Sequence, residues 1–451
     1  MKLELSDITR ALGLELPLAG AATGFSTDSR TAAPGDLFFA LRGPNHDGHQ
    51  FVETALAQGA VAAVVESGPG IVVPDTQAAL ERLAAWARRR WGGTLVAITG
   101  SAGKTTTKEV VAQLLAVEIP VGKTVGNLNN HIGVPLSILR LPDEARAAVI
   151  EIGMNHAGEI RHLAAIAKPS IGVVTNVGFA HAEFFESADG VAMAKRELIE
   201  SLGPTGVAVL NADDANVRRF AEIHPGRTVT YGIAEGAEVR AQDVEIGPGG
   251  MRFRVAGVEF QSPLAGRHNL SNVLAGLAVA GVFGIAPERL RDAVGRLEPA
   301  KMRGERFVHR GITVLNDCYN SNPEAVRSML DVLRVVPAGR RIAVLGEMLE
   351  LGRWSESLHR DIGRYAAGSG VNVLVGIRGA SKYMVEESQR SGLAAGAAFF
   401  FDEPAQAGEL VRRLAAPGDV VLFKGSRGTH VERALETFLA DESGSAPGVA
   451  H

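Results

Sequence analysis

Residues 96 to 107 read VAITGSAGKTTT, an apolar run followed by a glycine-rich turn, a lysine and three threonines. Backbone N–H groups in such a turn, together with the positive end of the following helix, form a cradle for phosphate. Lys104 is placed to reach terminal phosphates, and the Thr105 hydroxyl can bind Mg²⁺. The common motif has glycine where Ile98 stands, so this loop is a short variant. The spacing predicts a nucleotide site; the alternative is a glycine-serine turn that happens to precede a lysine.

Four further predicted strands end in polar side chains. Ligands of open α/β sheets lie outside the carboxyl ends of the strands, so these positions are the next candidates for chemistry. A carboxylate and a histidine beside the phosphate-loop threonine could form a magnesium site. Taken alone, Glu151 is better explained as a salt-bridged or capping residue, and His181 as a capping or core-edge histidine. The strand-end residues are Glu151, Thr175, Asn176, His181, Asn316, Asp317, Asn320, Lys424 and Arg427.

Three other polar residues have weak signals of their own. Lys195 lies in the helical stretch VAMAKRELIE, where spacing alone predicts a solvated surface lysine. Asn269 opens a predicted helix, and a helix cap explains it as well as a binding role does. Cys318 has no catalytic pattern around it, so we expect a small buried residue.

Composition limits the classes of function. Hydrophobic residues make up 46% of the chain and charged residues 21%, as in globular proteins with large cores. A net charge of −4 and only 5% aromatic residues argue against nucleic-acid binding. The single cysteine excludes an internal disulfide and is typical of a reducing compartment. The N-terminus lacks a signal-peptide core, and no apolar run approaches the ~20 residues of a membrane span. We therefore expect a cytoplasmic protein without a membrane or nucleic-acid partner.

The order of predicted elements indicates three α/β domains. A helix ending in RRRWGG closes a smaller N-terminal domain at residues 1–92. Strands then alternate with helices, which predicts a central phosphate-loop domain with a mostly parallel sheet and crossover helices at 93–302. Within it, the segment Tyr231 to Pro263 breaks the alternation and predicts an antiparallel insertion or edge. A second alternating block predicts a Rossmann-like C-terminal domain at 303–451.

Taken together, these segments resemble the Mur ligase family, the ATP-dependent amide-forming enzymes of peptidoglycan synthesis. The resemblance runs through all three domains in the family's order. Several of the motifs are shared with folylpolyglutamate synthases, so the motifs identify the superfamily more firmly than they identify one member of it. The segments that carry it are TGSAGKTTT, GNLNNHIGVPLS, EIGMNHAGEI, TNVGFAHAEFF, AKRELIE, LNADD, GRHNLSNVLA and NDCYNSNPEAV.

The branch is indicated by GMNHAGEI, DCYNSNPEAV and VLGEMLELG, and by the lack of a DNPR-type motif. These resemble the ligases that join D-alanyl-D-alanine to UDP-N-acetylmuramoyl-tripeptide. The resemblance implies ATP and Mg²⁺ as cofactors, an acyl phosphate intermediate, and UDP-N-acetylmuramoyl-pentapeptide, ADP and phosphate as products. It also implies a monomer whose N-terminal domain binds the UDP substrate and whose C-terminal domain binds the dipeptide.

The resemblance implies a role for each matched residue. Lys104, Glu151, His181 and Lys195 would be catalytic; Thr105 and Glu151 would bind one Mg²⁺, and His181 and a carbamylated Lys195 a second. Asn269 would contact adenine. Arg303 and Asp317 would reach the nucleotide, although Arg306 is near enough to compete with Arg303. The remaining phosphate-loop residues are Gly100, Ser101, Ala102, Gly103 and Thr106. The substrate-binding residues would be Asp28, Ser29 and Arg30 at the uridine end, together with Asn129, Asn130, Asn320, Ser321, Asn322 and Lys424.

Two other functions remain open from the sequence. One is another amino-acid or folate ligase of the same superfamily, which the YNSNP segment and the separate N-terminal domain oppose. The other is a non-catalytic nucleotide switch, which would leave the second set of strand-end polar residues unexplained.

Overall fold

The computed structural model describes residues 1–44, 46–179, 182–185 and 187–440, arranged as three successive α/β units. His181, one of the predicted metal ligands, lies outside the described residues.

The N-terminal unit is built on a parallel sheet in the order β3-β4-β5-β6. A short antiparallel pair, β1-β2, precedes it. The longest helix of the unit, α3, begins where the Asp75 side chain accepts a hydrogen bond from the Ala78 N–H, and ends at Gly92 in the left-handed conformation. The strands are β1 Leu3–Glu4, β2 Ala21–Ala22, β3 Gly24–Ser26, β4 Asp36–Phe39, β5 Ala62–Val65 and β6 Ile71–Val72; the helices are α1 Leu5–Ala11, α2 Val52–Ala57 and α3 Thr76–Trp91.

The central unit has a seven-stranded, wholly parallel sheet in the order β13-β12-β11-β10-β7-β9-β8. Its strands are β7 Thr94–Thr99, β8 Val121–Lys123, β9 Ala147–Glu151, β10 Ile171–Val174, β11 Val207–Asn211, β12 Arg227–Gly232 and β13 Val239–Arg240. Its helices are α4 Lys104–Leu115, α5 Gly133–Leu139, α6 Glu159–Ala167, α7 Ala188–Glu200, α8 Ala215–Arg219, α9 Arg267–Val282 and α10 Arg291–Gly295. Buried residues of α3 and of the N-terminal sheet join those of α5 and α6 in one core, so the first two units share apolar packing.

The predicted antiparallel insertion is present as a three-stranded sheet, β14 Gln242–Gly247, β15 Gly250–Val255 and β16 Val258–Ser262. It begins later than the sequence predicts, because Tyr231 and Gly232 complete β12 of the parallel sheet. Tyr231 is fully buried in the core of the central unit, so this β-forming residue belongs to the parallel sheet and not to the insertion.

The C-terminal unit has a six-stranded sheet in the order β17-β18-β22-β19-β20-β21, parallel except for β17. Its strands are β17 Glu305–His309, β18 Ile312–Asp317, β19 Arg341–Gly346, β20 Val373–Ile377, β21 Ala398–Phe401 and β22 Val420–Lys424. Its helices are α11 Pro323–Val335, α12 Ser355–Gly368, α13 Ser381–Arg390, α14 Pro404–Leu414 and α15 Val431–Leu439. The α/β class and the Rossmann-like last domain are as the sequence predicts.

Within the described ranges, the helices are too short or too polar for any of them to cross a bilayer.

Candidate active site

The phosphate loop connects β7 to α4, and two of its glycines are required by close packing. A Cβ on Gly100 would lie 1.8 Å from the Thr175 hydroxyl oxygen, so no side chain fits there. Gly103, the residue before α4, has φ +80° and faces the Asn272 carboxamide. The loop therefore follows a path open to glycine alone, with the N-terminal end of a twelve-residue helix behind it.

The residues that follow β10 hold this loop in shape. The Ala102 N–H donates to Asn176 Oδ1 at 2.8 Å, while Asn176 Nδ2 and the Thr175 hydroxyl both donate to the Ala102 carbonyl. The Ser101 hydroxyl and Gly178 exchange hydrogen bonds of 2.8 and 3.0 Å. Thr175 and Asn176, identified by their position at a strand end, are thus supports of the loop.

Lys104 is the first residue of α4 and folds back over the loop. Its Nζ donates to the Gly100 carbonyl at 2.8 Å. Burial lowers the pKa of Lys104, and Glu151 opposes that effect. The ammonium group is therefore held beside the loop, where a terminal phosphate would replace its carbonyl partner.

Glu151 and Thr105 meet as the sequence predicts. The Thr105 hydroxyl donates to Glu151 Oε2 at 2.7 Å, and Asn129 Nδ2 donates to Oε1 at 2.8 Å. Glu151 is only 2% exposed, so its carboxylate is held in one orientation. A hydroxyl and a carboxylate are oxygen donors that suit Mg²⁺, which keeps several waters when protein ligands are few. No cluster of three or more His, Cys, Asp or Glu that could hold a metal occurs among the described residues.

Lys195 is buried, contrary to the surface position that its spacing predicts. The residue is 1% exposed on α7, and its pKa is lowered well below the usual range by burial and by the nearby charge of Lys104. Among the described residues, none accepts a hydrogen bond from its Nζ or forms an ion pair with it. The sequence did carry a signal: Val191, Lys195 and Leu198 recur at helical spacing, and both apolar neighbours are buried.

The C-terminal unit contributes an ion pair to the opposite wall. Asp317 and Lys424 are register partners at the carboxyl ends of β18 and β22, and Lys424 Nζ lies 2.5 Å from Asp317 Oδ2. Lys424 also donates to the Asn320 carbonyl at 2.9 Å. The Arg303 guanidinium stacks on the Tyr319 ring with its carbon 3.9 Å from the ring centroid. Arg306 instead donates to the Pro248 carbonyl and lines a separate, smaller pocket, so Arg303 is the arginine at this site.

The segment Asn320 to Asn322 leads into α11. Asn322 is the N-cap of that helix: its Oδ1 accepts from the Ala325 N–H at 2.8 Å, and its Nδ2 lies 3.5 Å from the Ser101 carbonyl of the phosphate loop. Asn320 Oδ1 accepts from the Ser321 N–H, and the buried Ser321 hydroxyl has no hydrogen-bond partner in the described part of the chain. Asn322 thus links the C-terminal unit to the phosphate loop.

A cavity of about 880 Å³ joins these two walls between the central and C-terminal units. This volume is near the upper end of the range for small-molecule sites. The predicted residues that line it are Ser101, Ala102, Gly103, Lys104, Thr105, Thr106, Asn129, Asn130, Glu151, Asn176, Asn269, Arg303, Asp317, Asn320, Ser321, Asn322 and Lys424.

Some predicted residues lie outside this lining. Gly100 and Lys195 lie behind the wall, and Cys318 is buried in the C-terminal core, where burial raises the pKa of its thiol. The N-terminal candidates Asp28, Ser29 and Arg30 form a local turn away from the cavity, with Asp28 accepting from the Arg30 backbone and guanidinium. The Arg30 hydrogen bond lowers the pKa of Asp28.

Several lining residues were missed by sequence reasoning. His268 and Asn272 lie on the helix that carries Asn269, one and three residues away, and Asn272 Nδ2 donates to Asn269 Oδ1. Asn269 itself donates to the Ala265 carbonyl, so it does not cap α9 through its side chain. Most of the others lie in the quoted motifs, at positions that spacing alone would not single out: Asn127, His131, Met154, Asn155, Glu159 and Glu324; His162 lies two residues beyond the motif that ends at Ile160.

A phosphate loop at the carboxyl edge of a parallel sheet, facing a Rossmann-like domain across a shared cavity, defines a multidomain nucleotide-dependent α/β enzyme. Residues 22–128, 98–280 and 295–427 match the descriptions "Mur ligase family, catalytic domain", "Mur ligase middle domain" and "Mur ligase, glutamate ligase domain".

Comparisons over nearly the whole chain agree with these domain matches. The UDP-N-acetylmuramoyl-tripeptide–D-alanyl-D-alanine ligase of Bacillus subtilis (strain 168) is 33% identical, covering 92% of this chain and 93% of its own. The crystal structure of MurF from Acinetobacter baumannii matches with a TM-score of 0.87 and 31% identity, over 96% of this chain and 98% of that one. MurF of Thermotoga maritima in complex with ADP matches with a TM-score of 0.81 and 29% identity, over 92% and 96% of the two chains. The chain belongs to the Mur ligase family.

Proposed function

We propose that this protein joins D-alanyl-D-alanine to UDP-N-acetylmuramoyl-tripeptide at the expense of ATP, giving UDP-N-acetylmuramoyl-pentapeptide, ADP and phosphate. The observation that carries the proposal is the shared cavity, with the phosphate loop on one wall and the Asp317–Lys424 pair and the start of α11 on the other. The Bacillus subtilis relative, whose name states this reaction, supports the choice of substrates. The reaction belongs to the cytoplasmic stage of peptidoglycan synthesis.

The first step activates the tripeptide. One oxygen of its terminal carboxylate attacks the γ-phosphorus of ATP, the bond to the bridging oxygen breaks, and ADP leaves with that electron pair. Lys104 and the N–H groups of Ser101 to Thr106 stabilise the charge on the transferring phosphoryl group. The product is an acyl phosphate. Its acyl carbon reacts with an amine far more readily than the carbon of a carboxylate does, because phosphate is a good leaving group.

The second step forms the amide. The dipeptide nitrogen attacks the acyl carbon, and the C–O bond to phosphate breaks. Because the phosphate loop and the dipeptide wall belong to different units, closure of the cavity brings the reactants together and keeps water away from the acyl phosphate.

Thr105 and Glu151 would hold a Mg²⁺ ion, since both present buried oxygen atoms beside the phosphate loop. The ion would neutralise charge on the phosphates when bound. His181 and Lys195 would serve a second ion. The lowered pKa of Lys195 leaves a larger fraction of free amine, the form that reacts with carbon dioxide, and the resulting carbamate is an anion. A lysine buried without an acidic partner among the described residues supports that modification.

Substrate positions follow from the three domains, 1–92, 93–302 and 303–451. Asn269, Arg303 and Asp317 would contact the nucleotide. Asn129 and Asn130 would lie along the tripeptide, and the uridine end would reach the turn at Asp28, Ser29 and Arg30 in the N-terminal domain. Asn320, Ser321, Asn322 and Lys424 would bind the dipeptide.

Incubation of the protein with ATP, Mg²⁺, UDP-N-acetylmuramoyl-tripeptide and D-alanyl-D-alanine, followed by mass spectrometry of the UDP-linked product, tests the proposal. We expect the mass of one added dipeptide, and phosphate release only when both substrates are present. Phosphate release from ATP alone would instead identify a nucleotide switch, and addition of a single amino acid or of glutamate to folate would identify another ligase of the superfamily.

A further inference from the structure

Glu324 is a cavity-lining carboxylate without a role in the reaction as described above. It lies in the first turn of α11, where the positive end of the thirteen-residue helix favours a negative charge. Its Oε1 accepts from the Phe179 N–H at 3.2 Å, across the boundary between the C-terminal and central units. Its Oε2 is buried and has no hydrogen-bond partner in the described part of the chain.

The other cavity carboxylates are engaged. Glu151 binds Thr105 and Asn129, and Asp317 binds Lys424. Glu159, farther along the wall, accepts from the Asn155 N–H and pairs with His156. Among the described carboxylates that line the cavity, only Glu324 has a buried oxygen without a partner. A buried acceptor of this kind is costly unless a ligand satisfies it.

Glu324 also lies close to the phosphate loop. A Cβ on Gly178 would be only 2.6 Å from the Glu324 carboxyl carbon, so the two residues are in direct contact. Gly178 is in turn bonded to the Ser101 hydroxyl of the loop. One intervening residue therefore separates this carboxylate from the place where the acyl phosphate forms. The soft terminal torsion of glutamate lets the free oxygen turn toward the cavity.

We propose that Glu324 binds the ammonium group of the incoming dipeptide and accepts its proton, which places the amine beside the acyl phosphate. This inference rests on the proposed function. A single free carboxylate oxygen suits one ammonium group, whereas a metal ion would need further ligands, and the described residues form no such cluster around Glu324.

The protons and electrons balance as follows. The ammonium gives one proton to the Glu324 carboxylate, and the nitrogen lone pair then forms the C–N bond. The C–O bond to phosphate breaks, and phosphate leaves with that electron pair and with the second proton of the nitrogen, as hydrogen phosphate. Protonated Glu324 returns its proton to solvent when the product leaves.

The test compares Glu324→Gln with the unmodified enzyme, because glutamine keeps an oxygen for the Phe179 N–H but removes the charge. We expect kcat/KM for D-alanyl-D-alanine to fall about thirtyfold or more, as for loss of one member of a buried charge pair. The KM values for ATP and for the UDP-tripeptide should change less than twofold. Hydroxylamine, a neutral nucleophile, should still trap the acyl phosphate as hydroxamate at a rate within about threefold of the unmodified enzyme, since its attack requires no ammonium site.

A pH series adds a readout that a structural role would not give. The deficit of Glu324→Gln should shrink between pH 6.5 and 9, because the amine, with a pKa of about 8, is then free without help. Asp331→Asn is the matched control. Asp331 lies on the same helix, accepts a hydrogen bond from the Tyr365 hydroxyl and is outside the cavity lining. Its substitution should therefore leave the kinetics for D-alanyl-D-alanine unchanged.

Equal losses of hydroxamate and amide formation would show that Glu324 only holds the central and C-terminal units together. Unchanged kinetics for D-alanyl-D-alanine would show that Glu324 has no role in dipeptide use. Either result overturns the inference. Failure of the unmodified enzyme to ligate the dipeptide would instead overturn the proposed function, and with it this inference.

Discussion

Lys104 Nζ donates to the Gly100 carbonyl, so its ammonium group belongs to the phosphate loop and not to the apolar core. We expect Lys104→Ala to lose at least about 10³-fold in kcat, as for removal of a preorganised charge at a phosphoryl group, with the melting temperature nearly unchanged. Steady-state phosphate release and thermal melting measure both. Near-normal turnover at unchanged stability would contradict the phosphate-loop assignment.

Lys195 offers a test of the proposed carbamate. Lys195→Ala should lose most activity, because a cation would be left without an anionic partner. Acetate or formate should restore part of it by supplying oxygens in the vacated space, with an efficiency that depends on the size of the acid. Lys195→Arg should resist rescue, since the guanidinium fills that space and stays positive. Nearly full activity in the alanine variant would exclude an essential carbamate.

His268 should make stability depend on pH. Burial lowers its pKa to about 4, and Asp317 and Asp331 only partly oppose that effect. The unfolded chain binds this proton first as the pH falls below about 6.5, so the native state loses up to about 3 kcal/mol between pH 6.5 and 4. Denaturant melts of the unmodified protein and of His268→Gln over this range should show a shallower decline in the variant. Equal slopes would contradict the assignment of a buried neutral imidazole.

At the scale of elements, the start of α11 joins helix capping to binding. Asn322→Ala removes the cap and should lower stability by about 1 kcal/mol. Because Asn322 is proposed to contact the dipeptide, the KM for D-alanyl-D-alanine should also rise more than the KM for ATP. Asn322→Ser keeps a capping oxygen but loses the amide that reaches Ser101, so it should recover stability and not the KM. A change in the ATP constant alone would assign Asn322 to the nucleotide side.

The elements themselves follow from sequence to different degrees. The strands buried on both faces, such as β7, β9, β10 and β22, were predicted because their apolar runs end in polar or glycine-rich turns. The edge strands β8, β17 and β21 were not. They have three to five residues, and Phe307 and Val308 of β17 are exposed, so no burial pattern distinguishes them from a loop.

At the scale of the whole molecule, a further contact joins the central and C-terminal units near the cavity. The Glu183 N–H donates to the Glu350 carbonyl at 2.9 Å, and the Phe179 and Trp354 rings lie 6.4 Å apart. Gly352 has φ +51°, and a Cβ there would lie 2.9 Å from Glu183 Cα. A side chain at this position would push the two units apart.

We therefore expect Gly352→Val to lower the kcat of ligation about tenfold, since misplacement of the two walls by an ångström is costly. Gly370→Val is the matched control, because Gly370 also has a positive φ but open space around it. Both variants should lose about 1–2 kcal/mol of stability to backbone strain, and only Gly352→Val should lose turnover. Equal kcat values would show that this contact does not set the cavity geometry.

The sequence by itself located the phosphate loop, the strand-end carboxylate Glu151 that meets Thr105, and the three α/β units. These depend on local chemistry: glycines where φ is positive, a helix start, and apolar runs that end in polar residues. Parallel strands bring their carboxyl ends to one edge whatever the rest of the chain does, which is why Asp317 and Lys424 could also be selected.

Only the tertiary structure decided which residues of different elements contact one another. In the folded chain, Lys195 is buried near the charge of Lys104, and Arg303 lines the cavity whereas Arg306 does not. Asn322 lies next to Ser101, which is 221 positions away in the chain. The fold also left Glu324 with an unpartnered oxygen against Gly178. The physical reason is that hydrophobic periodicity shows which face of an element is buried, whereas desolvation and charge at a residue depend on the element packed against that face.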